Sequence, residues 1–100
     1  MRDRSGLSEI LHSLAPHVYF QPPASKQLNY PCIVYTLDRF DPTHADNKIY
    51  INTKRYTVTV IDKDPDSKIP DLLMNSLEYA SSDRVFCSDN LYHYTFSVFY

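Results

Sequence analysis

One hundred residues, 43% of them hydrophobic and 22% charged, are enough for one ordinary globular domain spanning 1–100 and exclude a disordered chain. A formal charge of −2 with dispersed Lys and Arg excludes a phosphate-neutralising surface, so no nucleic-acid specificity is expected. No run approaches the roughly 18 apolar residues of a membrane span, the N-terminus lacks a signal-peptide core, and Gly6 is the one glycine, which leaves nothing to build a phosphate loop, a dinucleotide fingerprint or a nucleophile elbow.

In chain order, Leu7, Ile10, Leu11 and Leu14 recur at helical spacing and Pro16 stops the run, which predicts an amphipathic first helix. Val18-Tyr19-Phe20 follows as a short edge strand, ended by Pro22-Pro23 and a polar loop from Ala24 to Asn29. Cys32 to Phe40 is β-branched and aromatic and reads as a strand. Asp41 to Lys48 carries turn-forming residues and reads as a connection, longer than a tight hairpin needs.

From Ile49 to Asp62, Tyr56, Val58 and Val60 alternate with Arg55, Thr57 and Thr59, the period-two pattern of a strand with one face on a core. Ile61 breaks the polar series. A second helix is expected from an N-cap at Asp66 or Ser67, with Pro70 and Asp71 in its first turn and Ile69, Leu72, Leu73, Leu77 and Ala80 on its buried face. Two strands, Arg84 to Ser88 and Leu91 to Tyr100, close the pattern around Asp89-Asn90, residue types that tolerate the left-handed turn of a two-residue hairpin. The expected fold class is therefore α+β: an antiparallel sheet of about four strands, a short edge strand, and both helices on one face. Nothing in this order repeats, and no linker separates domains.

Chemical sites are sparse. Asp62, Asp64 and Asp66 alternate as in a calcium loop, but Ser67 stands where the turn needs glycine and Leu73 where a bidentate Glu is needed. His12, His17, His44 and His93 lack zinc spacings, so no metal and no cofactor are expected. His44 and Asp46 could in principle orient a base, yet no Ser or Cys stands in a recognised context, so the chain reads as a non-enzyme. Cys32 and Cys87, in a chain that reads as unexported, are expected to be reduced, buried thiols. Nine tyrosines either line a protein interface or pack under the helices.

Taken in order, Val18-Tyr19-Phe20-Gln21-Pro22-Pro23, Tyr30-Pro31-Cys32-Ile33-Val34-Tyr35, His44-Ala45-Asp46-Asn47, the run Tyr56 to Ser67, and Asp89-Asn90-Leu91-Tyr92-His93-Tyr94 resemble the small tail-completion (tail terminator) proteins of long-tailed phages and prophages of Gram-positive bacteria. The resemblance implies an α+β subunit of a homohexameric ring, assembled in the host cytoplasm and carried in the virion. Such a ring caps the tail tube, ends its polymerisation and joins it to the head connector. Partners would be further copies of the chain, the tail tube protein and the connector protein, without membrane attachment. On that resemblance the ring and tube contacts are expected in the loop Thr43 to Lys48 and the strand Tyr50 to Tyr56, through Thr43, His44, Asp46, Asn47, Lys48, Tyr50, Asn52, Lys54 and Tyr56. A head–tail connector adaptor is the alternative, and a small hydrolase using His44 and Asp46 the remaining one. Tyr100 falls within the last strand pattern, which leaves any C-terminal contact open.

Overall fold

The computed structural model describes residues 4–23, 25, 27–45, 48–77 and 79–100, with the side chains of 39–45 and 48–53 excluded from the description. The elements run α1 (Arg4–Leu14), β1 (His17–Phe20), β2 (Cys32–Ala45), β3 (Lys48–Asp62), α2 (Ile69–Ser76), β4 (Ala80–Ser88) and β5 (Leu91–Phe99). Five strands form one mixed sheet in the order β1-β2-β3-β5-β4, with two helices on one face, an α+β fold.

The helix face follows the period-two pattern. Cross-strand rows Ile33–Val60–Tyr94, Tyr35–Val58–Phe96 and Leu37–Tyr56–Val98 meet Leu7 and Leu11 of α1, Leu73 of α2 and Leu77 in one hydrophobic core. Full burial of each such side chain stabilises the fold by roughly 1.5–3 kcal/mol. Ala15 N still donates to Leu11 O at 3.3 Å, and Pro16 stops α1 there, because the residue before proline is driven out of helical geometry.

Strand β1 pairs with β2 in parallel, His17 opposite Cys32, whereas β2 to β5 are mutually antiparallel. A parallel neighbour requires the chain to return to the end from which it came. Residues 21–31 make that return, and Gln21 leaves β1 with φ 44°. Asn29 N donates to Tyr19 OH at 3.2 Å, which brings Asn29 against the sheet face opposite the helices. At that end Cys32 and Ile61 are buried on the face that also carries Thr57, Thr59 and Thr95, which accounts for the break that Ile61 makes in its polar series.

Four boundaries differ from the expectation, among them the start of β4, at Ala80 rather than Arg84. Asp41 to Ala45 is not a connection: β2 continues through it, paired with β3 as far as Ala45 opposite Lys48, and Asp46 and Asn47 lie outside the described residues. Pro42 is tolerated because the register shifts between Pro42 and His44, and a strand accommodates a missing N–H at a bulge or a free edge. The second helix is shorter than its apolar rhythm. Leu77 is extended, with φ −115° and ψ 133°, and Ala80 already belongs to β4, opposite Val98. Its N-cap position is Lys68, which makes no side-chain cap bond, while Ser67 Oγ accepts from Ile69 N at 3.4 Å. The chain enters α2 through a turn rather than a capping box.

Candidate assembly surface

Among the described residues β1 and β4 are the edge strands of the sheet, and two of its unpartnered parts stand out. One is the outer edge of β4, whose residues are almost all solvent-exposed and include Val85 at 58% exposure. The other is the distal half of the β2–β3 hairpin. On the β1 side the last supports to β2 are Gln21 N donating to Tyr35 O at 2.9 Å and Gln21 Oε1 accepting from Leu37 N at 3.1 Å. On the β5 side support ends where Lys54 and Tyr100 exchange backbone hydrogen bonds of 3.3 and 3.0 Å. From Asp41 opposite Thr53 to Ala45 opposite Lys48 the hairpin is a two-stranded arm. It lengthens the molecule to 47 Å against 27 and 22 Å in the other two directions. Two strands without a third or a helix are marginally stable in water, so this arm gains most from contact with something else.

At the base of the arm, on the face away from the helices, four strands are joined by one polar chain. Arg55 Nη2 donates to Ser97 Oγ at 3.1 Å, and Ser97 Oγ donates to Asp83 Oδ2 at 2.7 Å. On the other side Thr57 Oγ1 donates to Asp38 Oδ2 at 3.2 Å, and Arg55 Nε stands 3.6 Å from that same oxygen. That separation is an ion pair but too long for a hydrogen bond, and Arg55 Nε is buried without a hydrogen-bond partner. Both carboxylates sit where the register shifts. Asp38 is the extra residue between the pairs Leu37–Tyr56 and Arg39–Arg55, and Asp83 the extra residue between Ser82–Phe96 and Arg84–Thr95. A bulge bends its strand and re-aims a side chain. Here one bulge aims Asp38 at Arg55, and the other aims Asp83 at Ser97, the serine that accepts from Arg55. With both charged partners of the pair part-exposed, it contributes about 1 kcal/mol or less to stability. Its consequence is geometric. Beyond it on this face Arg84 lies over the Phe86 ring at 4.5 Å, and Phe86 stacks on His93 at 4.7 Å.

The expected contact residues divide. Thr43, His44, Lys48, Tyr50 and Asn52 fall on the arm's two strands, their side chains beyond the described set, and Asp46 and Asn47 lie outside the described residues altogether. Lys54 is half-buried at the arm's base. Tyr56 is corrected: it is 1% exposed, because its alternation places it under the helices between Leu37 and Val98, so it belongs to the core. The tyrosines follow the same logic. Tyr35 and Tyr56 are buried, with rings 6.0 Å apart, and Tyr94 and Tyr100 pack against the core, while Tyr79 is 61% exposed. The aromatic-rich face is the covered one, and among the described side chains β4 is mostly exposed.

The acidic run serves its own turn. Asp62 Oδ1 accepts from Asp64 N at 3.0 Å and Asp64 Oδ1 from Asp66 N at 2.9 Å, two successive local turns that lead into α2. Among the described residues no group of three or more His, Cys, Asp or Glu could hold a metal ion, and no helix is long and apolar enough to cross a membrane. Both thiols are free: Cys32 is buried, and Cys87 is exposed on β4, against the expectation that both would be buried. Cys32 and Cys87 stand on opposite faces with β3 and β5 between their strands. Burial, and then the charge of Asp62, push the Cys32 thiol up to about 11. The Tyr94 hydroxyl is also raised, by burial first and then by Asp62, Asp64 and Asp66, while it donates to Pro65 O at 3.2 Å. No protein-family model matches the chain, and a search of the curated proteins finds no significant relative.

Proposed function

We propose that this chain is a structural subunit of a phage tail-completion ring, capping the tail tube, ending its polymerisation and forming the joint to the head connector. The observation that carries the reading is the coexistence, on one chain, of a projecting two-stranded arm and a nine-residue strand, β4, with an unpaired outer edge. A closed ring is head-to-tail and needs two unlike surfaces on each subunit. An open strand edge is a template for pairing with another chain, and an arm that is marginal alone supplies a second contact. The ordered segments from Val18 to Tyr94 that resemble tail terminators support the same reading.

Light scattering coupled to size exclusion, followed by negative-stain microscopy with purified tail tubes, tests it. Sixfold mass, or rings seated on tube ends, is the expected result. Replacing residues 41–52 by a two-residue turn should keep the circular dichroism spectrum and abolish both. A monomer that neither closes on tubes nor binds them would defeat the proposal, and one that binds only the isolated connector would favour the adaptor.

A further inference from the structure

We infer that Arg55 is a positioning residue that fixes the direction in which the β2–β3 arm leaves the sheet. The inference concerns the isolated chain and stands whether or not the chain forms a ring. Arg55 is the last β3 residue with a partner inside β5, Phe99, and the third-strand support of the arm ends one residue further on, at the Lys54–Tyr100 backbone pair. The bulge in β2, between Leu37 and Arg39, lies directly across from it. A bulge allows a strand to bend but does not by itself set how far. The guanidinium sets it: its fork points one way to Asp38 Oδ2, 3.6 Å away, and the other way to Ser97 Oγ at 3.1 Å. Ser97 is 5% exposed and is itself held by Asp83, so the far end of the brace is anchored in the body of the sheet. Any change in the arm's angle moves Asp38 relative to Arg55 while Ser97 stays put. Asp38 is also tied to Thr57, so the bulge cannot drift without breaking a second contact. The same chain of bonds ends on β4, which ties the direction of the arm to the bulge in the opposite edge strand.

Only a planar, rigid, multi-donor side chain can make both contacts at once, which is why lysine is not an equivalent substitute. The test measures the arm's orientation directly. Nitroxide labels are placed on Cys87, exposed on β4, and on Ala45→Cys at the end of β2, with buried Cys32 left unlabelled. Pulsed electron resonance reads the distance distribution in protein diluted with excess unlabelled chain, so that contacts between copies do not enter. A single narrow distribution is expected for the parent. Arg55→Met should at least double its width, and Arg55→Lys should widen it despite retaining the charge. Thr59→Ala, on the same face but outside the brace, should leave it unchanged. Should Arg55→Met fail to fold, Asp38→Asn and Ser97→Ala each remove one end of the brace and should each widen the distribution. Distributions unchanged in these folded variants, even with a lowered melting temperature, would reduce Arg55 to a stabilising residue and overturn the inference.

Discussion

Gly6 of α1 lies directly against the phenol of Tyr100: a methyl group added at Gly6 would meet the Tyr100 hydroxyl and stand 3.3 Å from its Cζ. Tyr100 cannot easily withdraw, since its backbone is bonded in both directions to Lys54. The glycine backbone is helical with negative φ, so space and not conformation requires it. Alanine there gains roughly 1 kcal/mol of helix propensity, against about 1–3 kcal/mol for overpacking. Gly6→Ala is therefore expected to be destabilising by about 1 kcal/mol, and neutral or stabilising in a Tyr100→Phe background. A urea double-mutant cycle measures the coupling, and additive effects would refute the contact.

Leu72 and Leu73 share one stretch of apolar rhythm but not one environment. Leu73 is 0% exposed and Leu72 47%, because α2 ends at Ser76 and presents only a narrow stripe to the sheet. Leu73→Ala should cost about 2–5 kcal/mol through lost transfer energy and a cavity. Leu72→Ala should cost less than about 1 kcal/mol, as a surface change with better helix propensity. Equal losses in chemical denaturation would mean that the helix is rotated from the position described.

What the sequence made legible was whatever local periodicity encodes. Leu7 and Leu11 fixed the inward stripe of α1, and Tyr56, Val58 and Val60 fixed the inward face of β3, before any long-range contact was known. What it hid was non-local. Asp41 to Ala45 holds turn-forming residues yet is strand, because pairing with β3 satisfies its backbone and overrides propensity. Ala80 fits the helical rhythm of α2 but is claimed by Val98 on β5. The brace leaves a faint signal: Asp38 sets an acid of low strand propensity inside a β-prone run, Asp83 stands just before another, and each acid is the bulged residue. Only the register reveals that one bulge faces Arg55 and that the other reaches it through Ser97.

The β4–β5 turn is the place where a single backbone angle decides stability. Asp89 and Asn90 have φ 54° and 62°, the paired left-handed geometry whose twist matches a two-residue hairpin. Asn90→Gly removes the remaining steric cost and should leave the fold as stable or up to about 0.5–1 kcal/mol more so. Asn90→Val places a β-branched side chain at positive φ and should cost about 1–2 kcal/mol or more. Thermal unfolding of the pair checks the order, and a valine variant as stable as its parent would mean that the turn has another geometry.

Cys32 makes alkaline stability a readout of its burial. Its thiol is raised from 9.0 to about 11, chiefly by desolvation and then by Asp62. Below about pH 9 the proton is held in both the folded and the unfolded chain, and the contribution is fully present. Between about 9 and about 11 the folded chain keeps a proton that the unfolded chain has released. Stability therefore falls as pH rises through that window, by up to about 1.4 kcal/mol per unit. Tyr94, also raised, adds a slope of the same sign, so the test is a difference. Cys32→Ala should start from lower stability because of the cavity, yet lose less between pH 9 and 10.5 than the parent does. At pH 8 a disulfide reagent should titrate one thiol rapidly and the second only on unfolding. Parallel stability curves for the parent and Cys32→Ala would show that the Cys32 thiol titrates alike in both states, and the packing assigned to that end of the uncovered face would then be wrong.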